Sequence, residues 1–360
     1  MTTTSCTKAN NGGCASKVNN GGCAFRGAKM ALQPIVDAAH LVHGPVTCQG
    51  LSWDVRPTAS SGPRLHRDTL VTDLGEMDII HGGEERLAAA VEAVIAAREP
   101  AGVLVYQTCV PALIGDDVKA VCQRLTARFG RPILAVDVPG FTGGRDTGSN
   151  AAGDVLLDQL IGTREPERRT ATDIVLIGEY NVAGEVWQAA RLLSEMGIRV
   201  LASIPGDGRM GAIATAHRAR AAIALCSQAM GGLAAKLEAR YGIPFVQGSF
   251  YGMGNIATIL RGIAALLATQ GGPADLPARA EAMIARHQTM TQARLRPLRP
   301  LLTGKLALLL TGGVKTWSLA DALREMGMAV AATTLRKSST DDRRRAAAPA
   351  GRRALVGQRR

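Results

Sequence analysis

Two hydrophobic periods alternate along this chain, and they predict helices and strands in turn. Between residues 84 and 98, Leu87, Val91, Val94 and Ile95 recur at helical spacing. The run 102–106 (Gly-Val-Leu-Val-Tyr) is short and apolar, the pattern of a strand buried on both faces. Asp116 and Asp117 open a further helix, where carboxylates complement the exposed N–H groups and the dipole. Residues 132–138 read as the next strand and 140–145 as a glycine-rich loop, and the charged stretch 162–172, with Pro166, reads as a linker. A second run follows, with strands at 173–178, 198–204 and 221–226 and a helix over 185–196 that stops at Gly197. Further helices end at Tyr241 and cover 256–269 and 277–290. After Pro297 and Pro300, a third run has a strand at 306–311, a helix over 318–326 and a strand at 328–334. This order predicts an α/β fold of Rossmann-like, parallel-sheet domains with crossover helices.

The ends of the chain break the pattern. Residues 1–22 are polar and repeat Asn-Asn-Gly-Gly-Cys-Ala around Cys14 and Cys23, so they read as a flexible leader that also holds Cys6. After Asp342 the chain becomes a tail of Arg, Ala, Gly and Pro with no apolar period. The expected divisions are the leader (1–22), a first α/β domain (23–165), a second (173–296), a partial third (301–335) and a basic disordered tail (336–360). One strand–helix–strand unit cannot bury both faces of its own sheet.

At 360 residues the chain holds two or three domains, and 46% hydrophobic with 3% aromatic residues suits a helix-rich α/β protein. Its longest apolar stretch, 256–268, contains Arg261 and is too short to span a bilayer. With no secretory pattern at the N-terminus, the expected location is cytoplasmic, without membrane contact. In that compartment seven cysteines argue for metal binding or free thiols over disulfides. The net charge of +12 is concentrated in residues 336–360, which carry nine Lys and Arg against two Asp. No aromatic residues interleave with these arginines to stack on bases, so a nucleic-acid partner is not expected.

The candidate chemistry lies in the turns. Cys23, Cys48 and Cys109 each stand in a Gly- or Pro-containing turn, as iron–sulfur ligands drawn from separate loops do. Three such thiols leave one cluster ligand to be supplied by a partner subunit. The competing reading, a small core residue at a strand end, stays open for each; for Cys122, in helical register with Val118, Val121 and Leu125, it is the preferred one. Cys226 ends another strand, where open α/β sheets bind ligands. Gly206-Asp-Gly-Arg-Met-Gly211 matches GxGxxG but lacks the acidic residue a dinucleotide site needs at the end of the next strand, and no GxxxxGKS/T loop exists. His40 and His43 are read as orienting the turn before Cys48. Arg56, Arg145 and Lys315, in or near glycine-rich turns, are either ordinary surface charges or counter-charges to an anionic group.

Several motifs carry a resemblance: Cys23-Ala-Phe-Arg-Gly-Ala-Lys, His40-Leu-Val-His-Gly-Pro-Val-Thr-Cys48, Ser52-Trp-Asp, Tyr106-Gln-Thr-Cys109, Leu113-Ile-Gly-Asp-Asp, Gly178-Glu-Tyr-Asn-Val-Ala-Gly184 and Thr311-Gly-Gly-Val-Lys-Thr-Trp-Ser318. In this order, from about residue 20 to 342, they resemble the nitrogenase component 1 family, and within it the E-type scaffold subunits of iron–molybdenum cofactor biosynthesis. The resemblance implies the fold of the nitrogenase molybdenum–iron protein, here with an incomplete third domain. It implies a permanent 4Fe–4S cluster on Cys23, Cys48 and Cys109, with the fourth ligand from an N-type subunit in a heterotetramer. Cys226 falls on the position that contacts the cofactor precursor, and Arg56, Ser149, Tyr180 and Lys315 fall on positions lining its cavity. Ser149 and Gln228 replace a His and an Arg of the catalytic subunits, which favours holding a cofactor over reducing a substrate.

The implied role is maturation of the nitrogenase cofactor. A radical enzyme delivers the precursor, molybdenum and homocitrate are added with help from the nitrogenase iron protein, and the product passes to the apo molybdenum–iron protein. The precursor and homocitrate are then transient occupants. The alternatives are a catalytic subunit of nitrogenase or protochlorophyllide-reductase type, and a non-functional truncated scaffold. Because family members continue past the point where the tail begins here, a frameshift or truncated gene is the expected origin of the tail.

Overall fold

The computed structural model describes residues 22–50, 58–60, 69–226, 229–311 and 314–333. The leader and the basic tail lie outside the described residues, as do Cys6, Cys14, Arg56 and Gln228.

Four parallel strands form the first sheet in the order β2-β1-β3-β4: β1 (Ala38–His43), β2 (Thr69–Val71), β3 (Gly102–Gln107) and β4 (Ile133–Val136). The helices of this region are α1 (Ala24–Leu32), α2 (Val46–Gly50), α3 (Glu76–His81), α4 (Glu84–Arg98), α5 (Cys109–Ile114), α6 (Val118–Phe129) and α7 (Arg145–Gln159). Helix α4 has the predicted bounds and buries Leu87, Val91, Val94 and Ile95, while β3 is buried throughout, as a central parallel strand requires. Asp117 caps α6, its Oδ1 accepting the Ala120 N–H at 2.9 Å, but Asp116 has a different task described below. The stretch 140–145 is less of a loop than expected: Gly140–Thr142 form a 3-10 turn and Arg145 already begins α7.

A second parallel sheet, ordered β6-β5-β7-β8, comprises β5 (Asp173–Glu179), β6 (Arg199–Pro205), β7 (Ala221–Ala224) and β8 (Phe245–Gln247). It carries α8 (Glu185–Glu195), α9 (Met210–Ala214), α10 (Leu233–Tyr241), α11 (Met253–Thr269) and α12 (Leu276–Leu295). The short α13 (Arg299–Leu302) leads to β9 (Leu306–Leu309), α14 (Val314–Glu325) and β10 (Ala329–Thr333), with β9 and β10 paired in parallel. Leu306, Leu308 and Leu310 are exposed, so one face of this small sheet is uncovered among the described residues. Helix α14 is tied to the second sheet's layer by Glu325, whose carboxylate accepts the N–H groups of Met253 and Gly254 at the start of α11. No helix among the described residues is long and apolar enough to cross a membrane.

The largest core lies between the two main sheets. It joins Val42, Leu104 and Tyr106 of the first to Val175, Ile177 and Ala222 of the second through α1, α7 and α10. Helices α1 and α7 cross with their backbones nearly touching: a Cβ on Gly148 would overlap the Ala24 carbonyl and stand 2.7 Å from the Ala28 nitrogen. Separate cores cover the outer faces, one under α4 and α6, the other under α8, α11 and α12.

One buried ion pair anchors the second sheet. Asp173, fully buried at the start of β5, receives Nε and Nη2 of Arg199 from β6 at 2.6 and 2.5 Å. Burial alone would raise the Asp173 pKa, but the Arg199 and Thr170 hydrogen bonds outweigh it and hold the carboxyl below its ordinary range. Because the lowered pKa belongs to the folded state, the pair stabilises above the ordinary carboxylate pKa, and its contribution is lost as pH falls through the lowered one. Arg199→Met is expected to cost about 2 kcal/mol at pH 7, below the full penalty for breaking a buried pair because Arg199 is itself partly exposed. Urea unfolding at neutral and acid pH checks this: the gap between variant and wild type narrows in acid.

Candidate functional site

The strand order brings the cysteines together. β1 and β3 pair in parallel with His43 opposite Gln107, so the chain leaves both strands at one edge of the sheet. Cys48 follows β1 on α2, and Cys109 follows β3 as the first residue of α5. Both therefore sit on short helices rather than in open turns. Cys23 is the N-cap of α1 and forms an isolated bridge with Gly144, in the segment that follows β4.

The 3-10 turn between them shows how close the thiols come. A Cβ on Gly140 would stand 3.0 Å from Cys109 Sγ and 3.2 Å from Cys23 Sγ, so only glycine leaves the space between these sulfurs open. Burial pushes the Cys48 thiol pKa up, the neighbouring Cys109 and Cys23 push it further, and a Thr108 hydrogen bond opposes them. A bound cation would offset both effects on the Cys48 thiol. None of the described cysteines is in a disulfide, and among the described residues no group of three His, Cys, Asp or Glu is arranged to hold a metal ion. A cubane spreads its thiolates over separate irons, and the converging sulfurs with their glycine-lined space fit such a group. Among the other described cysteines, Cys122 is buried in the α6 core, as its spacing predicts, and Cys226 belongs elsewhere. Val46, Leu113 and Phe141, on the three segments that carry or separate these thiols, are 50%, 75% and 45% exposed.

A second group forms at the same edge of the other sheet. Tyr180 follows β5 and Cys226 follows β7, its neighbour in the sheet, while α7 contributes Ser149 and Arg145. The Tyr180 pKa is raised, first by burial and then by the Cys226 thiol; a hydrogen bond from Ser149 and the charge of Arg145 act against this. Lys315 has different neighbours. Its Nζ is 2.8 Å from Glu179 Oε1 and 4.0 Å from Glu185 Oε1, and lies 5.5 Å from the centre of the Tyr251 ring. These residues line a cavity of about 130 Å³ with Leu225, Ser249 and Phe250. Burial opposes the Lys315 charge, but Glu179 and its acidic neighbour hold the pKa above the ordinary lysine value. The structure thus groups Ser149, Tyr180 and Cys226, and places Lys315 beside Glu179, the residue before Tyr180. Arg56 lies outside the described residues; the nearby segment 58–60 is held by Asn181, which accepts the Ala59 N–H and donates to Ser60 Oγ.

Both histidines use both ring nitrogens within the protein. His40 Nδ1 meets the Tyr106 hydroxyl at 2.8 Å and Nε2 the Ile35 carbonyl at 3.3 Å, and burial, with the nearby Lys29, lowers its pKa to about 4. His43 bonds Thr72 and Asp116. The GxGxxG stretch is a turn leading into the five-residue α9, with Gly206 donating to the Glu179 carbonyl. The sequence does not single out Thr108, Gly140 or Glu179; adjacency to Cys109 and membership of the Gly178-Glu-Tyr motif were the available signals for Thr108 and Glu179, and Gly140 has none beyond its glycine-rich stretch.

Comparison with known proteins agrees with this fold. The family model described as nitrogenase component 1 type oxidoreductase matches residues 23–358. The nitrogenase iron-molybdenum cofactor biosynthesis protein NifE of Bradyrhizobium diazoefficiens is 50% identical over 326 residues, covering 91% of this chain and 58% of the relative. NifE of Klebsiella pneumoniae is 49% identical, covering 87% of this chain and 70% of that one. A solved structure of nitrogenase Cp1 at pH 6.5 superposes with a TM-score of 0.80 at 28% identity, covering 92% of this chain and 65% of that one. The chain therefore spans less than two thirds of the Bradyrhizobium relative, while nearly all of its own length finds a counterpart. With a family model over almost its whole length and relatives half identical to it, the chain belongs to the nitrogenase component 1 type oxidoreductase family.

Proposed function

We propose that this chain is a scaffold subunit for nitrogenase iron–molybdenum cofactor maturation, holding an iron–sulfur precursor while molybdenum and homocitrate are added. The observation that carries the reading is the convergence of Cys23 and Cys109 on the space kept open by Gly140, with Cys48 close enough to act on by charge. These thiols would hold three corners of a 4Fe–4S cluster, which supplies electron-transfer capacity when bound, and an N-type partner would supply the fourth ligand. The exposed Val46, Leu113 and Phe141 offer the apolar contact that such a partner covers. Cys226 is the candidate ligand for the precursor as cargo, with Tyr180, Ser149 and Arg145 beside it, and Lys315 and Arg56 as further contacts.

Similarity favours a scaffold over a reductase: identity is about 50% to cofactor-biosynthesis proteins and 26–28% to nitrogenase Cp1. The nitrogenase iron protein, a precursor-delivering radical enzyme and the apo molybdenum–iron protein complete the proposed set of partners. Anaerobic co-expression with an N-type subunit, followed by co-purification, iron analysis and EPR, tests the reading. A stable complex with about four irons per heterodimer is expected, more when precursor is present. Absence of both complex and iron would refute the scaffold role, and acetylene reduction at nitrogenase-like rates would replace it with a catalytic one.

A further inference from the structure

The cluster reading leaves one buried polar network unused, directly beneath the loops of Cys48 and Cys109. His43, the last residue of β1, is fully buried. Its Nε2 stands 3.0 Å from Asp116 Oδ2 and its Nδ1 3.1 Å from Thr72 Oγ1. Thr72 Oγ1 also accepts the Gly44 N–H at 3.0 Å, and Asp116 Oδ1 the Gly83 N–H at 2.9 Å. Because a carboxylate only accepts, His43 donates from Nε2 to Asp116, while Nδ1 faces the Thr72 hydroxyl, which also lies 3.5 Å from the Gly44 carbonyl.

The backbone of the same residue is engaged as well. The His43 carbonyl accepts the Thr108 N–H at 3.1 Å and the Thr108 hydroxyl at 2.9 Å. Thr108 is the N-cap of α5, the six-residue helix that begins with Cys109, and Asp116 is the second residue past its end. One residue therefore holds both ends of the helix that carries Cys109, its carbonyl at the start and its ring just past the end. Five residues on from His43, across the Gly44–Pro45 turn, stands Cys48.

We propose that His43, with Asp116 and Thr72, is the positioning unit that sets the separation of Cys48 and Cys109 for cluster binding. An apolar residue of similar volume would fill the space without fixing it, because packing constrains orientation more loosely than the two directional hydrogen bonds of the ring. The strand pairing does not do this work, since the β1–β3 register ends at His43 and Gln107. Outer-shell groups that orient ligands in this way typically matter by one to two orders of magnitude in metal affinity.

The inference rests on the three-cysteine reading, and the test separates the two. The full chain is reconstituted anaerobically with ferrous iron and sulfide, with 2-mercaptoethanol as the fourth thiolate. Iron loss to a chelator and the EPR spectrum after dithionite reduction are then recorded. His43→Leu is expected to lose iron roughly tenfold faster than wild type, with a broadened or shifted spectrum. His43→Gln, which keeps an N–H toward Asp116, restores most of the retention. Wild-type retention and spectrum in His43→Leu, while Cys23→Ser loses its iron, overturn the positioning role alone; wild-type iron in Cys23→Ser overturns the reading beneath it. If His43→Leu does not fold, Thr72→Val, which removes only the hydroxyl, and Asp116→Asn are judged by the same measurements. A wild-type spectrum and retention in both overturn the proposal.

Discussion

Gly148→Ala is expected to destabilise the protein by roughly 3 kcal/mol, the upper part of the usual range for overpacking a core. The added methyl would overlap the Ala24 carbonyl and crowd the Ala28 nitrogen, both backbone atoms of α1 that no rotamer change can clear. Relief requires α1 and α7 to move apart. Gly27 sets the same limit from the other helix, since its Cβ would overlap the Arg145 carbonyl. Gly262→Ala, in the middle of α11, is the internal contrast. Its methyl would meet Val246 Cγ1 at an ordinary 3.5 Å, so the gain in helix propensity should stabilise the protein by about 0.5–1 kcal/mol. Chemical denaturation of both variants checks the pair, and opposite signs are the expected result. The first change also has a functional consequence. α1 starts at Cys23, and α7 carries Arg145 and Ser149, so separating the helices displaces one thiol of the first group and two members of the second.

That crossing also shows where the sequence stops being legible. Helix α4 can be read to the residue because Leu87, Val91, Val94 and Ile95 are large, apolar and regularly spaced. Helix α7 is as long, yet its sequence is Arg-Asp-Thr-Gly-Ser-Asn-Ala-Ala-Gly-Asp-Val-Leu-Leu-Asp-Gln, and it hides Gly148, Ala152 and Gly153 along with two leucines. Its helicity comes from packing against α1 and the turn near Met230, not from propensity. In the same way β8, three residues after Pro244, is too short to carry a period. The alternation of strands and helices was legible, and so was the parallel arrangement that follows from it.

For the site, the three turn cysteines were visible as separate signals, while their meeting depended on β1 lying next to β3 and on the bridge from Cys23 to Gly144. Neither is encoded at short range. The acidic pair 116–117 illustrates the same limit: two adjacent aspartates look equivalent at a helix start, but Asp117 caps α6 whereas Asp116 turns inward to His43. That division is fixed by a residue 73 positions away.

Removing single thiols gives the largest expected change in composition. Cys48→Ala and Cys109→Ala, each co-expressed with an N-type partner, are expected to lose most of the iron, because a cubane with one uncovered iron is labile and its exposed corner admits solvent. Burial raises the Cys48 thiol pKa, the neighbouring Cys109 and Cys23 raise it further, and Thr108 opposes them. Cys122→Ala serves as the discriminating control. That thiol is fully buried on α6 with Val118, Val121 and Leu125, and burial pushes its pKa to about 12, so it remains protonated and unreactive. Its replacement should cost about 1 kcal/mol of packing and leave iron per complex unchanged. Iron analysis and reduced-state EPR on the three purified variants decide the matter: selective loss in the first two places the cluster at the edge of the first sheet, and equal loss in all three would remove the assignment.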